Sequence, residues 1–265
     1  MSLQLERGVV GYWCPMSQTT GRWLYDRSGR GNRGTLTNME ASSDWVATKV
    51  RKTAGRVLDF DGTNDTVIVP DRPSLSITGT GLTLSAWVRQ TGATAYKQIF
   101  AKASGTGTTN RSYGLYITGG SGPGAANSLG FETRTSSTVD NGFGAIANNV
   151  WTHCVGAYDG SVMTWYLQGS QVGQVAQTGN IAAQNSDLYL GQFSSGGFST
   201  FSGQIAEWAI WNKSVTASEA RTLYRLGPGW FGKRASRLVG YSEQFASGFK
   251  AYWARRQSQL IGGGV

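Results

Sequence analysis

The sequence predicts an all-β fold: a sandwich of antiparallel strands with one short helix near residues 216–226 and extended arms at both ends. Three observations carry this. From residue 57 onward, apolar and polar residues alternate with the period of 2 that marks half-buried strands. These patterns recur roughly every 10–15 residues between loops of Gly, Ser and Asn, the rhythm of a sandwich. The chain also carries 10 Trp, 11 Tyr and 10 Phe in 265 residues, far more buriable surface than a disordered chain holds. Its 38 glycines follow no Gly-X-Y period, which excludes a collagen. No run of about 18 apolar residues is present, so no membrane contact through a spanning helix is expected.

Residues 1–56 read as an N-terminal arm and loop region packing on the sandwich. LYDRSGRGNRGTLTN (24–38) is dense in residues that accept positive φ and bond their own backbone. Trp13, Trp23 and Trp45 are placed to pin it to a core. The sandwich spans 57–227. VLDFDG and TVIVP flank the turn Asp61-Gly62-Thr63-Asn64. LTLSAWVRQ (82–90) sets Leu82, Leu84, Ala86 and Val88 on one face. Strands follow at 96–103, 113–118, 129–134, 150–160, 162–169, 187–192 and 202–213. VTASEARTLYRLG (215–227) is the helix. Thr216 or Ser218 caps its start, Glu219 sits in its first turn, and Gly227 and Pro228 stop it. Ala220, Leu223, Tyr224 and Leu226 form its apolar face. Residues 228–265 form a basic, aromatic-rich C-terminal arm without a strand period.

Four segments, LDFDGTNDTVIVP, LTLSAWV, NVWTHCVGAYDGSVMTWYLQG and FSGQIAEWAIWNKSVTASEARTLY, occur in an order that resembles the laminin-G-like, concanavalin A-like jelly-roll domain. Trp151, His153, Tyr158, Asp159 and Gly160 are similar to a hallmark of that superfamily. Gly203, Ile205, Ile210 and Trp211 resemble its closing strand. The resemblance spans 57–226 and implies an antiparallel jelly roll. It does not fix function, because the fold hosts lectins, adhesion modules and glycan hydrolases. DRSGRGNRGTLTNM and the ending RRQSQLIGGG are similar to short laminin-G-like virion proteins of tailed phages. That second resemblance implies a virion location after synthesis in a host cytoplasm, with capsid or tail subunits as partners. The opening MSLQLERGVVGYWCP does not read as a secretion signal.

Hydrolysis in this superfamily uses paired carboxylates on one strand. The six glutamates include no Glu two residues from an Asp with a second Glu beyond, so no enzyme is expected. Glu132 and Glu207 lie on predicted strands without an acidic neighbour. His153, the single histidine, reads as a strand residue, and Cys154 faces the other side of the same strand. Cys14 and Cys154 allow one bridge or two buried thiols. Nothing else points to an oxidising compartment, which favours thiols. Asp61, Asn64 and Asp65 supply oxygen donors of the kind calcium takes, and relatives hold calcium at the sandwich rim. The same residues are also ordinary turn formers, as is Asp159. Sugar contact calls for exposed rings beside polar groups, and the loops offer Tyr96, Arg111, Tyr113, Phe143, Phe193 and Phe198. Trp87, Trp151, Trp165, Trp208 and Trp211 lie on strands and read as packing.

Lys and Arg outnumber Asp and Glu by nine to four in residues 1–56. The ratio is six to nine in 57–212 and nine to two in 213–265. Basic ends on a near-neutral middle read as arms that meet an acidic protein partner, with nucleic acid not expected. Trp230, Trp253, Arg255 and Arg256 are the docking candidates, with Arg22, Arg27, Arg30 and Arg33 as counterparts near the start. The sequence thus points to a homo-oligomeric structural protein that decorates or cements a virion. The alternative is a lectin-type module that grips surface glycans, with calcium as its cofactor.

Overall fold

A computed structural model describes residues 5–231, apart from 19, 93–95, 106, 121–123, 136–137 and 195–198. The chain divides into a unit of residues 1–229 and a second of 230–265. Of the second, only Trp230 and Phe231 are described, their rings 5.3 Å apart and edge to face.

The first unit is a sandwich of two eight-stranded sheets in which every strand pair is antiparallel. In chain order its strands are β1 (Val9–Trp13), β2 (Trp23–Leu24), β3 (Gly34–Thr37), β4 (Trp45–Val50), β5 (Thr53–Asp61), β6 (Thr66–Val69), β7 (Leu82–Gln90) and β8 (Lys97–Ala103). They continue with β9 (Arg111–Ile117), β10 (Ser128–Arg134), β11 (Thr138–Ala145), β12 (Thr152–Tyr158), β13 (Val162–Leu167), β14 (Ser170–Ala176), β15 (Leu188–Leu190) and β16 (Ser202–Trp211). The helix α1 (Ala217–Leu226) closes the unit. One sheet runs β14-β13-β12-β7-β16-β5-β4, and β1 takes the far end of the β16 edge that β5 begins. The other runs β11-β10-β9-β8-β15-β6-β3-β2.

Residues 1–56 are therefore less an arm than expected. β1 pairs β16, β4 pairs β5, and β3 pairs β6, so the N-terminal region completes both sheets. These strands are short or sit among Gly, Arg and Thr, and their alternation falls below what the pattern reveals. β11 and β14 also lie outside the predicted set. β14 is largely exposed and offers no apolar stripe.

Leu82, Leu84, Ala86 and Val88 of β7 face the inter-sheet core as predicted. Trp13 and Trp45 join that core, their ring N–H groups donating to the Asn32 carbonyl (2.6 Å) and the Gly21 carbonyl (2.9 Å). Trp208 on β16 packs edge to face on Phe60 and donates its N–H across the sandwich to the Ile99 carbonyl on β8 at 3.1 Å. Helix α1 begins in a capping box: the Thr216 hydroxyl accepts from the Glu219 N–H, and the Glu219 carboxylate accepts from the Thr216 N–H. Ala220 and Leu223 are buried and Tyr224 stacks on Trp87. Leu226, expected on the same face, is exposed. Cys14 and Cys154 are buried free thiols, and burial pushes both up, Cys14 to about 12.

Candidate functional site

The ends of β5 and β7 and the starts of β8 and β16 meet at one rim of the sandwich. There they surround a cleft of about 320 Å³ lined by Asp61, Gly62, Gly92, Tyr96, Lys97, Ser199, Thr200 and Ser202. Its floor is cross-linked. The buried Lys97 ammonium donates to the Gly92 carbonyl and, at 3.4 Å, to the Ser202 carbonyl. Burial holds that lysine below its ordinary pKa. The Thr91 and Ser202 hydroxyls meet at 2.6 Å, and Thr200 donates to the Gly62 carbonyl. Gly62 has φ +81°, and a Cβ there would lie 2.8 Å from that of Ser202, so only glycine lets the turn close on β16. At the lip stand the exposed Asp61 carboxylate and the half-buried Tyr96 ring, 5.6 Å from Tyr116.

Asp61, Asn64 and Asp65, the residues expected to hold calcium, share one turn. Asp61 Oδ1 accepts the Thr63 N–H at 2.7 Å, and Asp65 Oδ2 accepts the Asp61 N–H at 2.9 Å. The Asn64 carbonyl accepts from the Asn38 amide. Burial pushes the Asp65 carboxyl up to about 6, opposed by the Asp61 N–H and reinforced by the charges of Asp61, Asp44 and Asp59. Among the described residues no three His, Cys, Asp or Glu gather to hold a metal. Asp61 Oδ1 and Asp65 Oδ2 thus serve to close their own hairpin. Asp159 is a turn residue, accepting from the N–H groups of Ser161 and Val162.

Of the described rings proposed for sugar contact, Tyr96 alone is placed at the cleft. Tyr113 is fully buried and donates to the Leu75 carbonyl. Phe143 packs on Trp165, and Phe193 is buried beneath the Arg111 guanidinium. Phe198 lies outside the described residues. Trp87, Trp165, Trp208 and Trp211 are buried as expected, while Trp151 is half-buried. Glu132 and Glu207 sit on different sheets. Glu132 pairs with Arg111 at 2.7 Å, yet burial outweighs the arginine and raises its pKa. Glu207 accepts from the Tyr12 hydroxyl and the Gly229 N–H. Ser85 Oγ and His153 Nε2 lie 3.0 Å apart, but both are buried on the sheet face that Tyr224 covers, away from the cleft. Trp230 belongs to the second unit, and Trp253, Arg255 and Arg256 lie outside the described residues.

A family model, the laminin G type of the concanavalin A-like lectin/glucanases superfamily, matches residues 61–221. No curated protein matches the sequence. Among solved structures, domain 4 of an extracellular arabinanase from Geobacillus stearothermophilus, in complex with arabinotriose, is similar at TM-score 0.61 and 18% identity. The match covers 81% of this chain and 97% of that one. The binding domain of Paraclostridial Mosquitocidal Protein 1 is similar at TM-score 0.62 and 14% identity, over 83% of this chain and 52% of that one. The binding domain of Botulinum Neurotoxin DC, in complex with SialylT, gives TM-score 0.59 and 14% identity over the same shares. The chain thus spans about half the length of the toxin binding domains it resembles. At these identities the likeness shows the fold alone.

Proposed function

The chain belongs to the concanavalin A-like lectin/glucanases superfamily, and from that premise we propose that it is a non-catalytic carbohydrate-binding module whose rim cleft takes a neutral oligosaccharide. The observation that carries this is the make-up of the cleft among the described residues: the half-buried Tyr96 ring at its lip, the exposed Asp61 carboxylate, and hydroxyls on Ser199, Thr200 and Ser202 over a floor cross-linked by Lys97. A sugar presents an apolar C–H face and a rim of hydroxyls, so it needs a ring to stack on and acceptors and donors beside it. With Oδ1 accepting the Thr63 N–H, Asp61 offers its other carboxylate oxygen to a sugar hydroxyl, and its charge repels an anionic sugar. The arabinanase domain, which this chain matches over nearly all of that domain's length and which was solved with arabinotriose, supports a neutral sugar class. Neither the family match nor these neighbours supports a virion role or virion partners.

A panel of neutral oligosaccharides led by arabinotriose, titrated calorimetrically with calcium and with chelator, tests the proposal. Binding is expected in both conditions, and Tyr96→Ala is expected to weaken it about tenfold, the worth of one lost stacking contact. Silence across the panel, or an affinity that Tyr96→Ala leaves unchanged, contradicts it.

A further inference from the structure

The opposite rim of the sandwich, about 30 Å away along the ten residues of β16, carries a second cleft. It has a volume of about 310 Å³ and is lined by Val10, Arg30, Ser76, Ile77, Thr78 and Asn212 among others, with no acidic residue in its wall. Arg30 enters it from the glycine-rich loop that follows β2.

That loop is held from inside. Asp26 Oδ1 accepts the N–H groups of Tyr12 (3.1 Å) and Ser28 (2.8 Å), and Oδ2 accepts the Ser28 hydroxyl (2.8 Å) and the Asn32 N–H (2.9 Å). Asn32 is fully buried. It donates to the Val10 carbonyl at 2.7 Å and accepts from the Ser74 hydroxyl at 3.0 Å, so it ties the loop to two walls of the cleft. Gly29 and Gly31, at φ +82° and +74°, turn the chain on either side of Arg30 and set its side chain outward. The only carboxylate in the loop is consumed by its hydrogen bonds. The neighbouring arginines are engaged as well: Arg22 and Arg33 lie over the Trp23 ring, and Arg27 donates to the Ser17 carbonyl. The Arg30 guanidinium makes no ion pair with a described residue. A rigid loop therefore presents one uncommitted guanidinium at a polar cleft without a counter-charge.

We propose that this second cleft binds the carboxylate of an acidic sugar, with Arg30 forking the carboxylate and Ser76, Thr78 and Asn212 meeting the sugar hydroxyls. A planar fork of N–H donors matches a carboxylate, and hydroxyl and amide side chains suit a polyol better than a bare anion. The proposal rests on the glycan-binding reading but uses different residues from the first cleft. Two sources carry this chemistry, a sialic acid and a uronic acid.

The test titrates the full chain with methyl α-N-acetylneuraminide, methyl glucuronide, methyl glucoside and arabinotriose, at low and high salt. It compares the parent with Arg30→Gln, Arg30→Lys and Tyr96→Ala, after thermal melting confirms that each variant folds. One acidic sugar is expected to bind and identifies the source, more weakly at high salt. Arg30→Gln should weaken it at least tenfold, Arg30→Lys less, and Tyr96→Ala not at all, with the glucoside silent. Acidic-sugar binding that survives Arg30→Gln overturns the proposal. So does arabinotriose binding with both acidic sugars silent, which leaves the first cleft standing. Acidic-sugar binding lost in Arg30→Gln, with arabinotriose silent, supports the second cleft and removes the first. Silence from all ligands overturns both.

Discussion

Trp208→Ala should lower the free energy of unfolding by about 3–5 kcal/mol, a large part of the stability of an ordinary domain. Trp208 is fully buried at the centre of the inter-sheet core, edge to face with Phe60. Its ring N–H also reaches across to the Ile99 carbonyl, so one side chain joins β16 of one sheet to β8 of the other. Alanine leaves a cavity and removes one of the two N–H donors on the Ile99 carbonyl, the Gly191 N–H remaining at 3.3 Å. Denaturant titration reads the effect as a lower midpoint at an unchanged slope. Trp151→Ala, at a half-buried position, should cost clearly less. A loss under about 1 kcal/mol at Trp208 would mean that the two sheets are not held together as described.

Acid should expose a second weak point at His153. The imidazole is buried beside the stacked rings of Trp87 and Tyr224, its centroid 5.0 Å from the indole. Burial, aided by the charge of Arg51, pushes its pKa down to about 3. The unfolded chain takes up a proton near pH 6.5, and the folded chain refuses it until about pH 3. The stability gained by keeping this ring neutral is thus fully present above pH 6.5 and lost as the pH falls toward 3. The loss runs at about 1 kcal/mol per pH unit. Asp65 and Glu132 act in the opposite sense. Their raised pKa values keep protons on the folded chain that the unfolded chain releases, which favours folding in acid. The contribution of His153 is therefore read as the difference between the parent and His153→Gln. The variant should show a flatter loss of stability between pH 6 and pH 4, and parallel profiles for the two proteins would contradict this assignment.

What could be seen in the sequence follows the range over which its signals act. The capping box of Thr216 and Glu219 spans four residues and leaves its mark in the chain, so α1 was predictable to within a residue or two. The core face of β7 was equally visible, because alternation is local. The two-residue β2 and the glycine-rich β11 carry too few apolar positions to stand out. The cleft was mostly hidden for another reason. Asp61 and Tyr96 stand out as candidates in the sequence, but Lys97, Ser199, Thr200 and Ser202 do not. Ser199, Thr200 and Ser202 reach that rim because β16 lies beside β5, a pairing that Thr200 and Gly62, 138 residues apart, tie together, and Lys97 comes to it from β8 of the other sheet. Strand order of that kind is set by the whole sandwich, and no local pattern encodes it. Asp and Asn serve turns and cations with the same oxygens, so a local pattern does not separate the two uses; here Asp61 Oδ1 and Asp65 Oδ2 close the turn.

The central claim, that the rim cleft holds a neutral sugar, is tested most directly by titrating arabinotriose into isotope-labelled protein and mapping the backbone amide shifts. Saturable shifts are predicted at Gly62, Gly92, Tyr96, Lys97, Ser199 and Ser202, with the amides around Arg30 and Thr78 unmoved. Shifts confined to another surface, or none at saturating sugar, would contradict it.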